Sequence, residues 1–260
     1  LSMSSKLDQM LPARPPGFCI GCPERPVFSA LKLAQKDVGE VHIAADIGCH
    51  SFATFEPFSM GHSILGYGMS LASRAAVSPM MQRRVLSIMG DGGFWHNGLL
   101  IGVQWMRTVH SYRVAAMRDV LKEALTTDFN GLKVIIAEGE CQLERQRRIR
   151  PWLADLLSRG QRVVRVKYGV DEDVCNGDHA CIRLSACPTL TLKDNPDPLK
   201  VDPVATVIDG CVGCGLCGEN AHAATLCPSF YRAEVIQHAH WYEKLLSAVR
   251  QLMLRWVQPA

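Results

Sequence analysis

"CVGCGLCGENAHAATLCP", residues 211–228, sets three cysteines at CxxCxxC spacing and brings a fourth, Cys227, directly before Pro228. Three thiolates so spaced hold three corners of an iron–sulfur cube. The cysteine ahead of proline serves a different cube, because in two-cluster chains the polypeptide crosses between pseudo-symmetric halves. A first half must then mirror the second. "CNGDHACIRLSACP", residues 175–188, does so with Cys175, Cys181 and Cys187-Pro188, although Asp178 stands in the second ligand slot and the spacer before Cys187 is longer than the usual three residues. Exchanging partners gives one cluster on Cys175, Asp178, Cys181 and Cys227, and another on Cys187, Cys211, Cys214 and Cys217.

The chain has eleven cysteines, and this arrangement leaves Cys19, Cys22, Cys49 and Cys141. Four thiolates are what one more cluster needs. Cys19 and Cys22 form a CxxC ("FCIGCPERP"), while Cys49 ("AADIGCHSF") and Cys141 ("IIAEGECQL") each follow an apolar run that reads as a strand. Strand-end loops can gather all four on one edge of a sheet. Three sites need twelve donors, which eleven thiolates and one aspartate supply. Asp178 is then an oxygen donor to one iron, or that iron is absent and a three-iron cluster sits on Cys175, Cys181 and Cys227. A carboxylate matches iron in a sulfide environment less well than a thiolate, so this corner is the labile one. The plain alternatives are a surface-loop role for Asp178 and, for the Cys19, Cys22, Cys49 and Cys141 set above all, a tetrahedral zinc site.

With 260 residues, 48% of them hydrophobic, and a formal charge of +3, the chain can bury a core of one or two domains. No apolar run reaches the roughly 18–20 residues of a membrane span, and residues 1–16 lack the apolar stretch of a signal peptide. A cytoplasmic protein with reduced thiols and no membrane association is expected. The basic run "ERQRRIR" (144–150) reads as a solvated helix face, so nucleic acid is not an expected partner.

Along the chain, residues 1–16 read as a leader or linker. From 17 to 161, β-type runs ("VHIAAD" 41–46, "RVLSIMG" 84–90, "LKVIIAEG" 132–139) alternate with helical patterns, which predicts an α/β domain with a doubly wound parallel sheet and ligands at the carboxyl ends of its strands. Residues 162–232, rich in Cys, Gly and Pro, read as a small α+β domain held by its clusters, with two short β-type runs before Cys175. Residues 233–260 read as an amphipathic helix, with Val235, Trp241, Leu245, Val249 and Leu252 on one side.

Residues 88–99, "IMGDGGFWHNGL", place Gly-Asp-Gly at the end of an apolar strand. Backbone N–H groups of such a turn can cradle a diphosphate while the Asp91 carboxylate holds a bridging divalent cation. Upstream, "MGHSILGYGMSLASRAA" reads as a helix in which Gly61, Gly66 and Gly68 permit close backbone approach.

Together, "FCIGCPERPVFSAL", "DIGCH", "MGHSILGYGMSLA", "GDGGFWHNG" and the cysteine-rich tail resemble, over nearly the whole chain, the C-terminal half of the alpha subunit in indolepyruvate:ferredoxin oxidoreductases, a branch of the 2-oxoacid:ferredoxin oxidoreductase family. The resemblance implies a thiamine diphosphate-binding domain followed by a two-cluster ferredoxin-like domain. It implies thiamine diphosphate and Mg²⁺ at the Gly-Asp-Gly turn, with Asp91 on the metal, Gly90, Gly92 and Gly93 along the diphosphate, Gly61 nearby and His96 as a catalytic group near the cofactor. It implies oxidative decarboxylation of an aryl 2-oxoacid to the acyl-coenzyme A, with electrons leaving singly through three iron–sulfur clusters to ferredoxin. Cys19, Cys22, Cys49 and Cys141 would lie nearest the thiamine.

Two departures from the family pattern stand out. The family's thiamine motif continues into a second strand and an Asn-containing turn that completes the Mg²⁺ shell. Here "GVQWMRTVHSYRVAAM" runs straight on to a late part of the domain, and neither Asn97 nor Asn130 takes that place, so a segment is expected to be absent between Gln104 and Trp105. The pyrimidine-binding domain that activates the cofactor has no counterpart, so activity is expected only with further domains or subunits, in an oligomer. The competing expectations are a non-catalytic iron–sulfur electron-transfer or scaffold subunit and a zinc-stabilised interaction module.

Overall fold

Residues 25–38, RPVFSALKLAQKDV, space Phe28, Leu31 and Ala34 along one helical face, and all three are buried in α1 (Arg25–Val38). Pro26 suits the first turn, where its missing N–H costs nothing, and Gly39 closes the helix at φ +83°. The computed structural model describes residues 17–98, 103–199, 201–223 and 227–257. The expected leader, 1–16, lies outside the described residues, as do 99–102, just ahead of the expected break at Gln104.

β1 (His42–Ala45) is buried along its whole length and is the middle strand of a three-stranded parallel sheet, flanked by β2 (Ser63–Ile64) and β3 (Val85–Ile88). Burial on both faces explains why its apolar run does not alternate. The chain leaves β1 toward β2 on one side and returns through α2 (Ser70–Val77) to β3 on the other. The carboxyl ends of β1 and β3 therefore flank the kind of crevice where open α/β sheets take their ligands. Gly61, Gly66 and Gly68 are not on a helix, contrary to the sequence reading. Gly61 lies in the loop before β2, Gly66 and Gly68 in the loop after it, and α2 starts only at Ser70.

After α3 (Asp91–Asn97), β4 (Trp105–His110) and β5 (Lys133–Glu138) form a second parallel pair, joined by α4 (Val114–Thr126). Parallel strands are expected within a single doubly wound sheet, but the described residues form two separate parallel pieces. α1 and α4 pack against each other, and Phe28, Leu31, Met117 and Leu121 share one core. β5 is half open, with Ile136 44% exposed, whereas parallel strands are normally covered on both faces. The gap falls between β3 and β4, where the sequence reading places a missing segment. α5 (Gln142–Ser158) carries the basic run mostly exposed, with Arg145 and Arg148 both paired to Glu140.

The cysteine-rich part repeats a strand–helix–strand unit: β6 (Val163–Val170), α6 (Ala180–Ser185) and β7 (Leu190–Lys193), then β8 (Val204–Val207), α7 (Leu216–Ala223) and β9 (Phe230–Gln237). One continuous strand, β6, precedes Cys175, where the sequence suggested two runs. The outer strands pair antiparallel over eight residues, β6 with β9, and the inner pair is β7 with β8. The pairing with β6 corrects the helix expected from 233: Val235 lies opposite Arg165 within β9, and the helix, α8 (Trp241–Val257), starts six residues later. Backbone partners decide this segment, because strand and helix use its apolar residues equally well. Arg162 holds α8 at its start through a bidentate pair with Glu243.

α1 ties the two parts together. The Arg25 guanidinium donates to the Ser185 carbonyl (3.0 Å), the Ser29 hydroxyl donates to the Leu184 carbonyl, and the Asn220 amide donates to Ser29 Oγ (3.3 Å). All three polar side chains are fully buried, so α6 and α7 dock on α1 through hydrogen bonds that each have to be made.

Candidate functional site

The glycine turn begins where β3 ends. Gly90 caps α3 in an extended conformation, and Asp91, exposed, is the helix's first residue. Behind it lies Asp46, a residue the sequence reading passed over. At the carboxyl end of β1, Asp46 is fully buried, and its Oδ1 accepts the backbone N–H groups of Gly68 (2.5 Å) and Met69 (3.3 Å). Its Oδ2 has no partner and lies where a Cβ on Gly93 would have to go. Gly92 likewise leaves space for the Tyr67 hydroxyl. These two glycines are required by close approach of side chains from the neighbouring loops. His50 closes the back of the turn: buried, it bonds through Nε2 to the Asp46 carbonyl (2.9 Å), and a Cβ on Gly90 would touch its ring at 3.5 Å. Its Nδ1 stands 4.0 Å from Glu24 Oε1, beside the first CxxC.

The other expected members of this site are dispersed. Gly61, at φ +107°, packs against Thr54. His96 sits exposed in the last turn of α3, its ring 5.4 Å from Tyr67. Asn97 packs on Gly68, and Asn130 lies in the loop before β5, on the other sheet. Among the described residues, Asp91 is thus the single carboxylate the turn presents to a divalent cation, and the oxygen set that Mg²⁺ demands is not complete there.

Cys19 and Cys22 flank a tight turn ahead of α1, Cys49 opens a 3₁₀ turn after β1, and Cys141 follows β5. They share one neighbourhood. Burial raises the Cys49 thiol, and Glu24, Cys19, Cys141 and Asp91 raise it further. Burial pushes Cys22 up to about 12, with Glu24 and Cys49 adding to it. Asp91 belongs to the Cys49 surrounding, and His50, next to Cys49, packs against Gly90, so Cys49 adjoins the glycine turn.

Cys187, Cys211, Cys214 and Cys217 line one cavity, with Ile20, Tyr168 and Val212 among its other walls. Cys217 is pushed to about 12 by burial and by Cys214, Cys187 and Cys211. Burial would raise Cys187 too, but the Arg25 guanidinium and the Thr189 hydroxyl, 3.2 Å from its sulfur, outweigh it and the thiol is lowered. Ile20 comes from the Cys19–Cys22 turn, and a Cβ on the intervening Gly21 would meet Val212 at 2.8 Å. The loops that carry the first and second cysteine sets therefore pack against each other.

The third set is Cys175, Asp178, Cys181 and Cys227. Cys181 is raised to about 11, by burial first and then by Cys227, Cys175 and Asp178. Asp178 Oδ1 accepts the Ala180 N–H (2.5 Å) at the start of α6, while its own N–H bonds to Asn176 Oδ1. Each of the latter two sets takes residues from the start of one helix and one cysteine from beyond the end of the other. They are separated by the length of α6 or α7, roughly 9–12 Å at 1.5 Å per residue. Soft thiolate donors in these numbers suit iron–sulfur ligation. Among the described residues, no three His, Cys, Asp or Glu side chains converge closely enough to hold a single metal ion.

Residues 46–101 match the family model of the thiamine pyrophosphate enzyme C-terminal TPP-binding domain, the segment that runs from Asp46 through the glycine turn. Curated relatives are indolepyruvate oxidoreductase subunits IorA. That of Archaeoglobus fulgidus is 25% identical, covering 87% of this chain and 41% of its own length. That of Thermococcus kodakarensis is 24% identical over 82% and 40%, and that of Methanothermobacter thermautotrophicus 23% over 84% and 41%. The chain spans about two fifths of the length of the curated relatives it matches. The first alignment runs over 281 positions yet takes up 87% of these 260 residues, so about 55 positions of the relative face no residue here. No solved structure matches. No described helix is long and apolar enough to cross a membrane. The chain is a relative of the indolepyruvate oxidoreductase alpha subunits, IorA, and corresponds to their C-terminal region.

Proposed function

We propose that this chain is the thiamine-side and electron-relay part of a cytoplasmic 2-oxoacid:ferredoxin oxidoreductase. Its substrate is an aryl 2-oxoacid of the indolepyruvate type, which is decarboxylated to the acyl-coenzyme A. Its partners are a pyrimidine-binding domain, a further catalytic domain or subunit, and ferredoxin. The observation that carries this reading is the order of the donor sets. Cys49, which Cys19, Cys141 and Asp91 all influence, follows β1 beside the glycine turn, and Ile20 of the Cys19–Cys22 turn walls the cavity of Cys187, Cys211, Cys214 and Cys217. Cys175, Asp178, Cys181 and Cys227 lie one short helix further on. An electron released near Asp91 then meets three stations in sequence. The paired strand–helix–strand units of residues 163–237 support the two-cluster ferredoxin-like assignment of the last two stations.

Thiamine diphosphate, when bound, supplies the carbon nucleophile for the 2-oxo carbon and the sink for the electrons left by departing CO₂. The chain's residues hold and wire that chemistry. Gly90, Gly92 and Gly93 let the turn approach a diphosphate, Asp91 is the one carboxylate at hand for its cation, and His96 is placed to exchange protons at the open side of α3. Asp46 fixes the turn to the Gly68 loop, and the thiolates would hold the iron–sulfur clusters that accept electrons one at a time.

Anaerobic purification of the complex is expected to give brown protein with iron and acid-labile sulfide for three clusters, together with thiamine. Colourless protein with stoichiometric zinc and no sulfide overturns the reading. The split of the parallel sheet and the positions missing against IorA favour one second reading, a subunit that relays electrons without binding thiamine. Three clusters with no retained thiamine would select it. Within either reading, Asp178→Cys is expected to make the third cluster resistant to oxidative loss of one iron, at least halving the three-iron EPR signal after air exposure. An unchanged signal removes Asp178 from the ligands.

A further inference from the structure

Arg25 is the largest fully buried side chain of the described residues and the least satisfied. One nitrogen donates to the Ser185 carbonyl at 3.0 Å, but among the described residues Nε and Nη2 have no partner and no carboxylate lies within ion-pairing distance. A guanidinium out of water, unpaired, is costly, and its position as the first residue of α1 adds the unfavourable end of the helix dipole. The packing uses one of its N–H groups, on the Ser185 carbonyl, beside the bonds of Ser29 and Asn220, and leaves Nε and Nη2 unused. What surrounds it is sulfur. Ser185, whose carbonyl Arg25 holds, accepts the Cys187 N–H on its hydroxyl (3.3 Å), the Arg25 guanidinium acts on the Cys187 thiol, and Cys22 stands three residues before Arg25 in the chain. Arg25 thus stands at the junction of the first and second cysteine sets.

We propose that Arg25 is a positioning residue for electron transfer: its free N–H groups donate to the Cys187 sulfur and its charge raises the reduction potential of the cluster on Cys187, Cys211, Cys214 and Cys217. The inference rests on the cluster reading above. In the step concerned, the first cluster is oxidised by one electron and the second reduced by one. No proton moves in this step. The extra negative charge on the second cluster is stabilised by the fixed cation and by donors that tighten on the more basic sulfur. Transfer away from the thiamine side is favoured as a result. An alkyl chain at this position fills the space and removes both effects.

The test is an EPR-monitored redox titration of the full chain in its assembled complex, with iron and sulfide measured on each sample. In Arg25→Met, metal content holds while one cluster becomes harder to reduce. At the potential where it is half reduced in the parent, its reduced-to-oxidised ratio falls about tenfold, a shift of about 59 mV for a one-electron couple. A second cluster distant from Arg25 does not move, and Arg25→Lys shifts less than Arg25→Met. If all potentials match the parent's, the proposal is wrong. Should Arg25→Met fail to fold, parent protein labelled with guanidino-¹⁵N arginine is expected to show ¹⁵N hyperfine coupling on one cluster signal, and its absence overturns the proposal. A parent without sulfide instead removes the cluster reading itself, a result separate from unchanged potentials in a loaded protein.

Discussion

Gly93→Ala is expected to destabilise the protein by about 1–3 kcal/mol, the usual cost of forcing a methyl into a filled site. The new Cβ would occupy the position of Asp46 Oδ2. That carboxylate cannot step aside, because it is fully buried and its other oxygen holds the N–H groups of Gly68 and Met69. Either the Asp46 bonds break, leaving buried donors unmatched, or α3 moves away from β1 and takes Asp91 with it. Thermal unfolding reads the first outcome as a Tm lower by several degrees, and thiamine content of the purified complex reads the second as a loss of most of the cofactor. Gly17→Ala is the control, since nothing among the described residues lies within 4 Å of a Cβ there. Equal Tm and equal thiamine in the two variants would show that Asp46 does not brace the turn.

Cys217→Ala is expected to remove the middle cluster alone. Iron and sulfide fall by about a third, from three four-ligand sites to two, and ferredoxin reduction by the complex falls more than tenfold because the first and third stations are no longer bridged. The cavity makes the effect specific. Cys187, Cys211, Cys214 and Cys217 face one space, whereas Cys175, Cys181 and Cys227 share another beyond α6. The loop feeding this cavity has little freedom to supply a substitute ligand: Gly213, between Cys211 and Cys214, sits at φ +71° against the Val166 carbonyl, where a side chain would overlap backbone. Full iron content in Cys217→Ala, or loss of two clusters at once, would dissolve this grouping.

Strands β1, β3 and β5 were legible to within two residues because their apolar runs are bounded by polar or glycine residues, and β1 is buried along its whole length as well. β4 was not legible. Trp105–His110 buries only its first and fifth residues, a pattern that carries no strand period, and it becomes a strand through its six-residue parallel register with β5. The end of β9, residues 233–237, reads as helix for a related reason, since its apolar residues serve either period and eight pairs with β6 settle the matter. Asp46, His50 and Arg25 carried weak signals at most: an acid closing an apolar strand, a histidine beside a cysteine, a cation following CxxC. Their burial and partners arise from chain segments far apart in sequence.

By itself, the sequence determined the inventory: twelve candidate donors in three sets, a Gly-Asp-Gly turn at a strand end, and the alternation that makes an α/β domain. These are local properties, fixed by residue type and spacing. The tertiary structure alone decided the order of the sets and what stands between them, because contact between Ile20 and the second cavity, and the burial of Arg25 beside Cys187, depend on α1 docking against α6 and α7. Spacing along the chain constrains which thiols can share a metal centre. Only packing brings one donor set near the next, since distance through space is set by hydrogen bonds and apolar contacts among segments more than a hundred residues apart.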